Sequence, residues 1–246
     1  MTTLITGGIG WVPSHIVMAI AATGERVVSY DVMEPDPLFD ELLGDHFANV
    51  TIERGDVTDA AQLMAAAQKH EVDAIIHAAA ITPRQDRERR EPATIVDVNL
   101  GGTINALDAA RAMPNLRRFI YISSGAALGD VAYLPEVNEE TPTRAPNLYG
   151  ITKHTSERVV SRYRELFELD AISVRLANVY GPMERITPGY AGATELREML
   201  RLHFDGQPVR VNSLEGPWLD WNTSRTLPKE FAVSGESPVW LMASTP

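Results

Sequence analysis

The chain has 246 residues, 44% of them hydrophobic, a formal net charge of −11 and no cysteine. This is enough for one large domain, or one domain with a small appendage, and no run approaches the ~18 apolar residues of a membrane span. Disulfides and thiolate metal sites are excluded, the six histidines lack metal-ligand spacing, and the acidic balance argues against non-specific nucleic-acid binding.

Residues 2–6 read as a buried first strand. Thr6-Gly7-Gly8-Ile9-Gly10 follows, and Pro13 to Thr23 reads as a helix that Gly24 stops. In a strand–turn–helix context such glycines let backbone approach a pyrophosphate, and the helix start offers free N–H groups and a favourable dipole. The segment has no basic n-region and its apolar run is broken by glycine, so it is not a signal peptide, and a cytoplasmic protein is expected. Pro13 stands where a third glycine would complete the pattern. Proline is tolerated in a first helical turn, so a slightly shifted helix start and an intact cradle are expected.

Glu25 to Tyr30 reads as a second strand, ending at Asp31, 21 residues after Gly10. A carboxylate there can accept from both ribose hydroxyls of an adenosine and repels a 2′-phosphate, and no arginine follows at Val32 or Met33. That favours NAD over NADP; the alternative is a solvated turn aspartate. Asp36 to Phe47 reads as a short helix or loop, and Val50 to Glu53 as a third strand before Gly55-Asp56-Val57-Thr58. Asp56 either bonds an adenine amino group, with Val57 packed on the ring, or is a turn residue. Ala60 to His70 reads as a helix and Val72 to His77 as a fourth strand. Ala78, Ala79 and Ala80 follow, small enough for a flat ligand to lie close to backbone, and His77 reads as a packed strand-end histidine.

Pro83 to Pro92 reads as a charged loop whose arginines, Arg84 among them, either meet an anionic substrate or form a solvated surface. Thr94 to Met113 reads as a long helix, interrupted mid-face by Asn99 and weakened by Gly101-Gly102, which suggests a tight helix contact. Arg118 to Ile122 is a fifth strand before Ser123-Ser124-Gly125. Tyr149 to Glu168 is a helix and Ala171 to Leu176 a sixth strand, closed by a turn over Asn178 to Pro182. Alternation on this scale predicts an α/β fold: a doubly wound parallel sheet with ligands at the carboxyl ends of its strands.

Tyr149 and Lys153 are four residues apart and share a helix face. A tyrosine is a poor base at neutral pH unless an ammonium nearby lowers its pKa, and this pair would supply one. With a serine hydroxyl from Ser124 on the substrate oxygen, the three would take a proton from an alcohol while a hydride leaves its carbon.

The chain resembles the extended branch of the short-chain dehydrogenase/reductases, the NAD-dependent epimerase/dehydratase group. The resemblance runs from residue 2 to about 211. It rests on the glycine turn, Asp31, Gly55-Asp56-Val57, His77 to Ala80, Val98 to Thr103, Ser123-Ser124, Tyr149-Gly150-Ile151-Thr152-Lys153 and Arg175 to Pro182. It implies a Rossmann domain over 1–182, and catalysis by Ser124, Tyr149 and Lys153, with Lys153 also on the nicotinamide ribose. It further implies NAD contacts from Gly7, Gly10, Trp11, Val12, Asp31, Asp56, Val57, Ala78, Ala79, Ala80 and Asn99. Asn178 would face a substrate, typically a nucleotide sugar. The helices around Asn99 and after Tyr149 would form a homodimer interface.

Gly125, Ala126 and Ala127 leave no carboxylate pair beside Ser124 of the sort an elimination uses, which ranks a dehydratase below an epimerase or a dehydrogenase of a sugar acid or small alcohol. A non-catalytic NAD-binding module is the remaining reading. Residues 183–246 would be a partial or truncated substrate lobe. Asp205 to Val211 still follows the family, and Leu219-Asp220-Trp221 resembles a relic of it. Beyond lies either a frameshifted or prematurely ended relative, or a compact tail capping the cleft with Trp218, Trp221 and Trp240. Reading the coding DNA in the other two frames after Trp221 separates these, since only the first restores an acidic residue and a helical pattern.

Overall fold

The computed structural model describes residues 1–130, 137–138, 140–190 and 194–208, and the backbone of 221–223. Six parallel strands, β1 (Thr2–Thr6), β2 (Arg26–Asp31), β3 (Val50–Arg54), β4 (Ala74–His77), β5 (Arg118–Ser124) and β6 (Ala171–Leu176), form one sheet in the order β3-β2-β1-β4-β5-β6. This is the predicted doubly wound sheet. The order reverses between β1 and β4, and that switch point is where such sheets open a crevice at their carboxyl ends.

Both faces are covered, which is why the strands read as apolar runs. Side chains alternate across each strand: Leu4, Val28, Phe119 and Tyr121 pack under α3 (Ala60–Lys69), α6 (Gly102–Ala112) and α7 (Leu148–Phe167). Their neighbours Ile5, Val27, Ile120 and Ile122 face α1 (Trp11–Ala21) and α2 (Pro37–Leu43). Local chemistry sets the helix ends. Asp36 caps α2 by accepting from the Phe39 N–H at 3.0 Å, with Pro37 at the first helical position, and Asp59 caps α3 from the Gln62 N–H at 2.9 Å. Gly24 ends the α1 turn with φ +84°.

Several boundaries move. The helix after the glycine turn starts at Trp11, two residues before Pro13, with the Ser14 N–H bonded to the Gly10 carbonyl at 3.0 Å. The charged segment predicted as a loop carries a short helix, α4 (Gln85–Arg90), followed by α5 (Pro92–Val96). Pairs one turn apart, Asp86 with Arg90 and Arg87 with Glu91, hold α4 in a way that composition alone did not reveal. The long helix predicted from Thr94 is α5 and α6 joined by a wide, π-type turn at Asp97–Gly101. The glycine pair divides: a Cβ on Gly102 would lie 2.6 Å from Val57 Cγ2, whereas one on Gly101 would meet nothing within 4 Å.

Past β6, Asn178–Tyr180 is a short strand, β7, rather than only a turn. It pairs in parallel with β8 (Trp221–Thr223). Helix α8 (Glu195–Phe204), capped by the Thr194 hydroxyl, was not anticipated, although Leu196, Met199, Leu200 and His203 carry helical spacing. Trp218, Trp240 and the side chain of Trp221 lie outside the described residues. Among the described residues no helix is long and apolar enough to cross a membrane, and no cluster of three potential metal ligands occurs.

Candidate active site

A cleft of about 750 Å³ opens at the carboxyl ends of the strands. Its floor begins at the glycine turn. Gly7 has φ +70°, and a Cβ there would stand 2.8 Å from the Ala79 Cα, so only glycine lets β1 turn this close to the segment after β4. The amides of Trp11 and Val12 open α1, where no earlier helical carbonyl can take them, so they suit an anion. Pro13 removes neither. The Trp11 indole N–H donates to the Pro182 carbonyl at 2.9 Å, and its ring lies 5.6 Å from that of Tyr190.

Asp31 borders the cleft at 7% exposure, its carboxylate accepting from the Ile9 N–H at 2.9 Å and the Met33 N–H at 3.0 Å. Burial raises its pKa, and those amides act against the rise. It is a buried carboxyl group held at a strand end, not a solvated turn residue. Asp56 does serve a turn, accepting from the Thr58 N–H and hydroxyl at 2.9 and 2.8 Å, and it also lines the cleft beside the buried Val57. Ala78, Ala79 and Ala80 form the facing wall.

The sequence motifs meet at the other end. Ser124 ends β5, Tyr149 and Lys153 lie on α7, and all three line the cleft. The hydroxyls of Ser124 and Thr82 stand beside that of Tyr149 and act to lower its pKa. Lys153 is 3% exposed; its Nζ donates to the Ile122 carbonyl at 2.6 Å and sits 5.7 Å from the centre of the Tyr149 ring. In the protein alone, burial dominates the electrostatics of this pair. Burial raises the Tyr149 pKa, and burial brings the Lys153 pKa down to about 7, with the Glu157 charge opposing that fall.

Two further expectations need correction. Asn99 does not line the cleft. It is buried behind the wall, accepting from the Ile81 N–H at 2.7 Å and donating to the Ile81 carbonyl and the Thr152 hydroxyl at 3.0 and 3.1 Å. Thr152 in turn donates to the Tyr149 carbonyl at 3.0 Å, so Asn99 ties the wall to the helix that carries Tyr149. Its carbonyl, freed by the π-type turn, takes the hydroxyls of Thr103 and Ser156. Arg84 is exposed at the start of α4 and off the cleft; Arg87 lines it instead, bonded to Glu91 and to the Pro188 carbonyl. Asn178 lines the cleft at its exposed edge.

Sequence reasoning missed Thr82 and the segment from Thr187 to Tyr190, which also line the cleft. The Thr82 N–H donates to the Gly189 carbonyl at 2.7 Å, a contact across more than a hundred residues that no local pattern announces. His77 is the packed residue expected, between the hydroxyls of Thr6 at 2.7 Å and Thr103 at 3.1 Å. Because Thr103 donates onward to Asn99, it accepts from His77 Nε2–H, and Thr6 then donates to Nδ1 while accepting from the Ala78 and Ala79 amides.

A Rossmann sheet with a glycine-turn cradle and a Ser–Tyr–Lys cluster in one crevice defines a class of dinucleotide-type folds. Within that class the chain belongs to the NAD dependent epimerase/dehydratase family, whose model matches residues 3–218. It is 27% identical over 221 residues to a dTDP-glucose 4,6-dehydratase of Xanthomonas campestris, covering 85% of this chain and 63% of that one. It is 31% identical over 196 residues to a putative UDP-glucose 4-epimerase of Methanocaldococcus jannaschii, covering 78% and 60%. The chain thus spans under two thirds of these relatives' lengths. Its structure is similar to that of Thermus thermophilus UDP-glucose 4-epimerase in complex with NAD, at TM-score 0.77 and 26% identity, over 93% of this chain and 72% of that one.

Proposed function

We propose that the chain binds NAD across this crevice and works as an oxidoreductase or epimerase on a sugar hydroxyl, the sugar being carried by a nucleotide. The observation that carries this reading is the convergence of Ser124, Tyr149 and Lys153 on the same cleft as the glycine turn, Asp31 and Val57. The cradle fits the cofactor: a Cβ on Gly7 would clash with the Ala79 backbone, so only glycine allows this tight turn, and Trp11 and Val12, whose amides open α1, line the cleft. Asp31 would accept from the adenosine ribose and exclude a 2′-phosphate. The Ala78–Ala80 wall and Lys153 would hold the nicotinamide half.

Bound NAD supplies the hydride acceptor and donor. Ser124 holds the substrate oxygen, and Tyr149 exchanges the proton with it. With its pKa raised by burial, Tyr149 is protonated in the protein alone and ready to give a proton to an alkoxide. Taking a proton requires more positive charge beside it, which Lys153 supplies when protonated. Among the described cleft residues the carboxylates are Asp31 and Asp56, both at the glycine-turn end. That favours hydride and proton transfer over elimination, and hence epimerase or dehydrogenase over dehydratase.

Incubation with NAD and a panel of UDP- and GDP-sugars, sugar acids and simple alcohols tests the reading. Turnover of a nucleotide sugar is expected. Turnover of only a sugar acid or simple alcohol would make it a dehydrogenase of small substrates, and tight NAD binding without turnover would make it a binding module. Tyr149→Phe should retain NAD affinity and lose at least about 99% of turnover, a general acid–base contribution of ~10²-fold; full retained activity would remove Tyr149 from its role. We further assign the protein to the cytoplasm, in keeping with a chain free of cysteine, and to a homodimer built on α6 and α7.

A further inference from the structure

Lys153 is one of only three lysines in the chain, with Lys69 and Lys229. One helical turn beyond it, on the same face of α7, stands Glu157, a carboxylate at 8% exposure that the proposed chemistry does not use. Its surroundings are built. The Ser123 hydroxyl donates to Glu157 Oε1 at 2.5 Å, and the Arg175 guanidinium donates to both carboxylate oxygens at 2.8 and 2.7 Å. Ser123 and Arg175 are register partners on β5 and β6. Glu157 therefore clamps the ends of two strands at the residue that precedes Ser124, while Lys153 is anchored one residue earlier, on the Ile122 carbonyl.

From this geometry we propose that Glu157 is a positioning residue that keeps Lys153 protonated and fixes the end of β5 carrying Ser124. The inference rests on the proposed function for its catalytic meaning, but the charge coupling stands apart from it. The groups facing Lys153 can be named element by element: Tyr149 and Glu157 on α7, Tyr121 on β5 with its ring centre 4.9 Å from Nζ, His77 on β4, and Arg175 on β6 beyond Glu157. His154, on α7, lies 3.8 Å from the far side of Glu157. Among them Glu157 is the carboxylate side chain. His77 is held neutral by burial, with a pKa near 3, and both Tyr149 and Tyr121 are held protonated. Burial alone drives Lys153 down, and the Glu157 charge opposes that fall. Arg175 completes the arrangement by compensating a carboxylate that would otherwise be costly to bury.

The test is an NMR titration of the full chain carrying [¹³Cε]lysine, in which Lys69→Arg and Lys229→Arg assign the Lys153 signal. In Glu157→Gln the carboxylate becomes an amide of the same shape, and the Lys153 midpoint should fall by about one pH unit or more. The alkaline limb of the turnover profile should move to lower pH by the same amount, with NAD affinity little changed. Because this variant removes the carboxylate opposite Arg175, Glu157→Gln/Arg175→Gln is the second arm; it removes both charges, and the midpoint should again fall. A Lys153 midpoint that coincides with the parent's in either folded variant would overturn the proposal. The titration reads Lys153 without turnover. A parent protein that turns over nothing while Lys153 shifts as expected would refute the catalytic reading and leave the coupling standing.

Discussion

At the scale of single residues, protonation is set by what surrounds each group. Asp31 is buried at a strand end with two backbone amides on its carboxylate, an arrangement a ribose diol can join by donating to the remaining lone pairs. Asp31→Ala should raise the KM for NAD about ten- to hundredfold, the worth of hydrogen bonds to a charged group, and relax discrimination against NADP. An unchanged NAD/NADP ratio in steady-state kinetics would reduce Asp31 to a turn residue. His77 is held near pKa 3 against an ordinary 6.5, chiefly by burial, with the Lys153 charge adding to it. Between those values the unfolded chain takes up a proton that folded His77 does not, so its contribution to stability is full above pH 6.5 and is lost as pH falls toward 3. Thermal denaturation of His77→Gln across that window should show a flatter decline than the parent, and parallel curves would contradict this.

At the scale of elements, the two adjacent glycines of the π-type turn and α6 are a controlled pair. Both have helical backbone, so propensity alone predicts the same gain for each on replacement by alanine. Packing separates them. Gly101→Ala enters open space and should stabilise by about 0.5–1 kcal/mol. Gly102→Ala must displace Val57, which borders the glycine-turn end of the cleft, and should cost about 1–3 kcal/mol. Denaturant titration of both variants checks this; equal shifts would mean that Val57 moves freely. The element scale also shows how legibility varied. β6 matched its predicted limits, Ala171 to Leu176, because the alternating run follows the polar Asp170 and ends before the Asn178 turn. Helix α4 was read as a loop because its stability comes from charge pairs and from Arg87 reaching Pro188, and neither produces an apolar period.

At the scale of the molecule, the segment from Pro182 to Tyr190 straps the two ends of the crevice together. Arg185 donates to Asp36 at 2.5 Å and to the Ile9 carbonyl at 2.9 Å, Trp11 and His15 both contact the Pro182 carbonyl, and Thr82 pairs with Gly189. The outer surface of α7 is less settled, with Ile151, Leu166 and Phe167 each more than 40% exposed. Burying such side chains against a second copy would remove them from water. Sedimentation equilibrium at micromolar concentration should therefore give twice the 27.1 kDa chain mass; a monomer mass would refute the dimer assigned above.

The sequence by itself determined the six strands of the sheet and most of the helices between them, the cradle, Asp31 and the trio Ser124, Tyr149 and Lys153. These are written in short spacings: the two-residue period of strands, glycines at a turn, and side chains one helical turn apart. Tertiary structure alone decided that Asn99 braces the wall from behind, that Arg87 and not Arg84 reaches the cleft, and that Thr82 meets Tyr149. It also decided that burial draws the lysine's pKa down, and that Glu157 stands behind it. Each of these depends on burial, or on partners brought together by strand register from distant parts of the chain. Desolvation and long-range pairing have no local period, so they become visible only once the sheet is assembled.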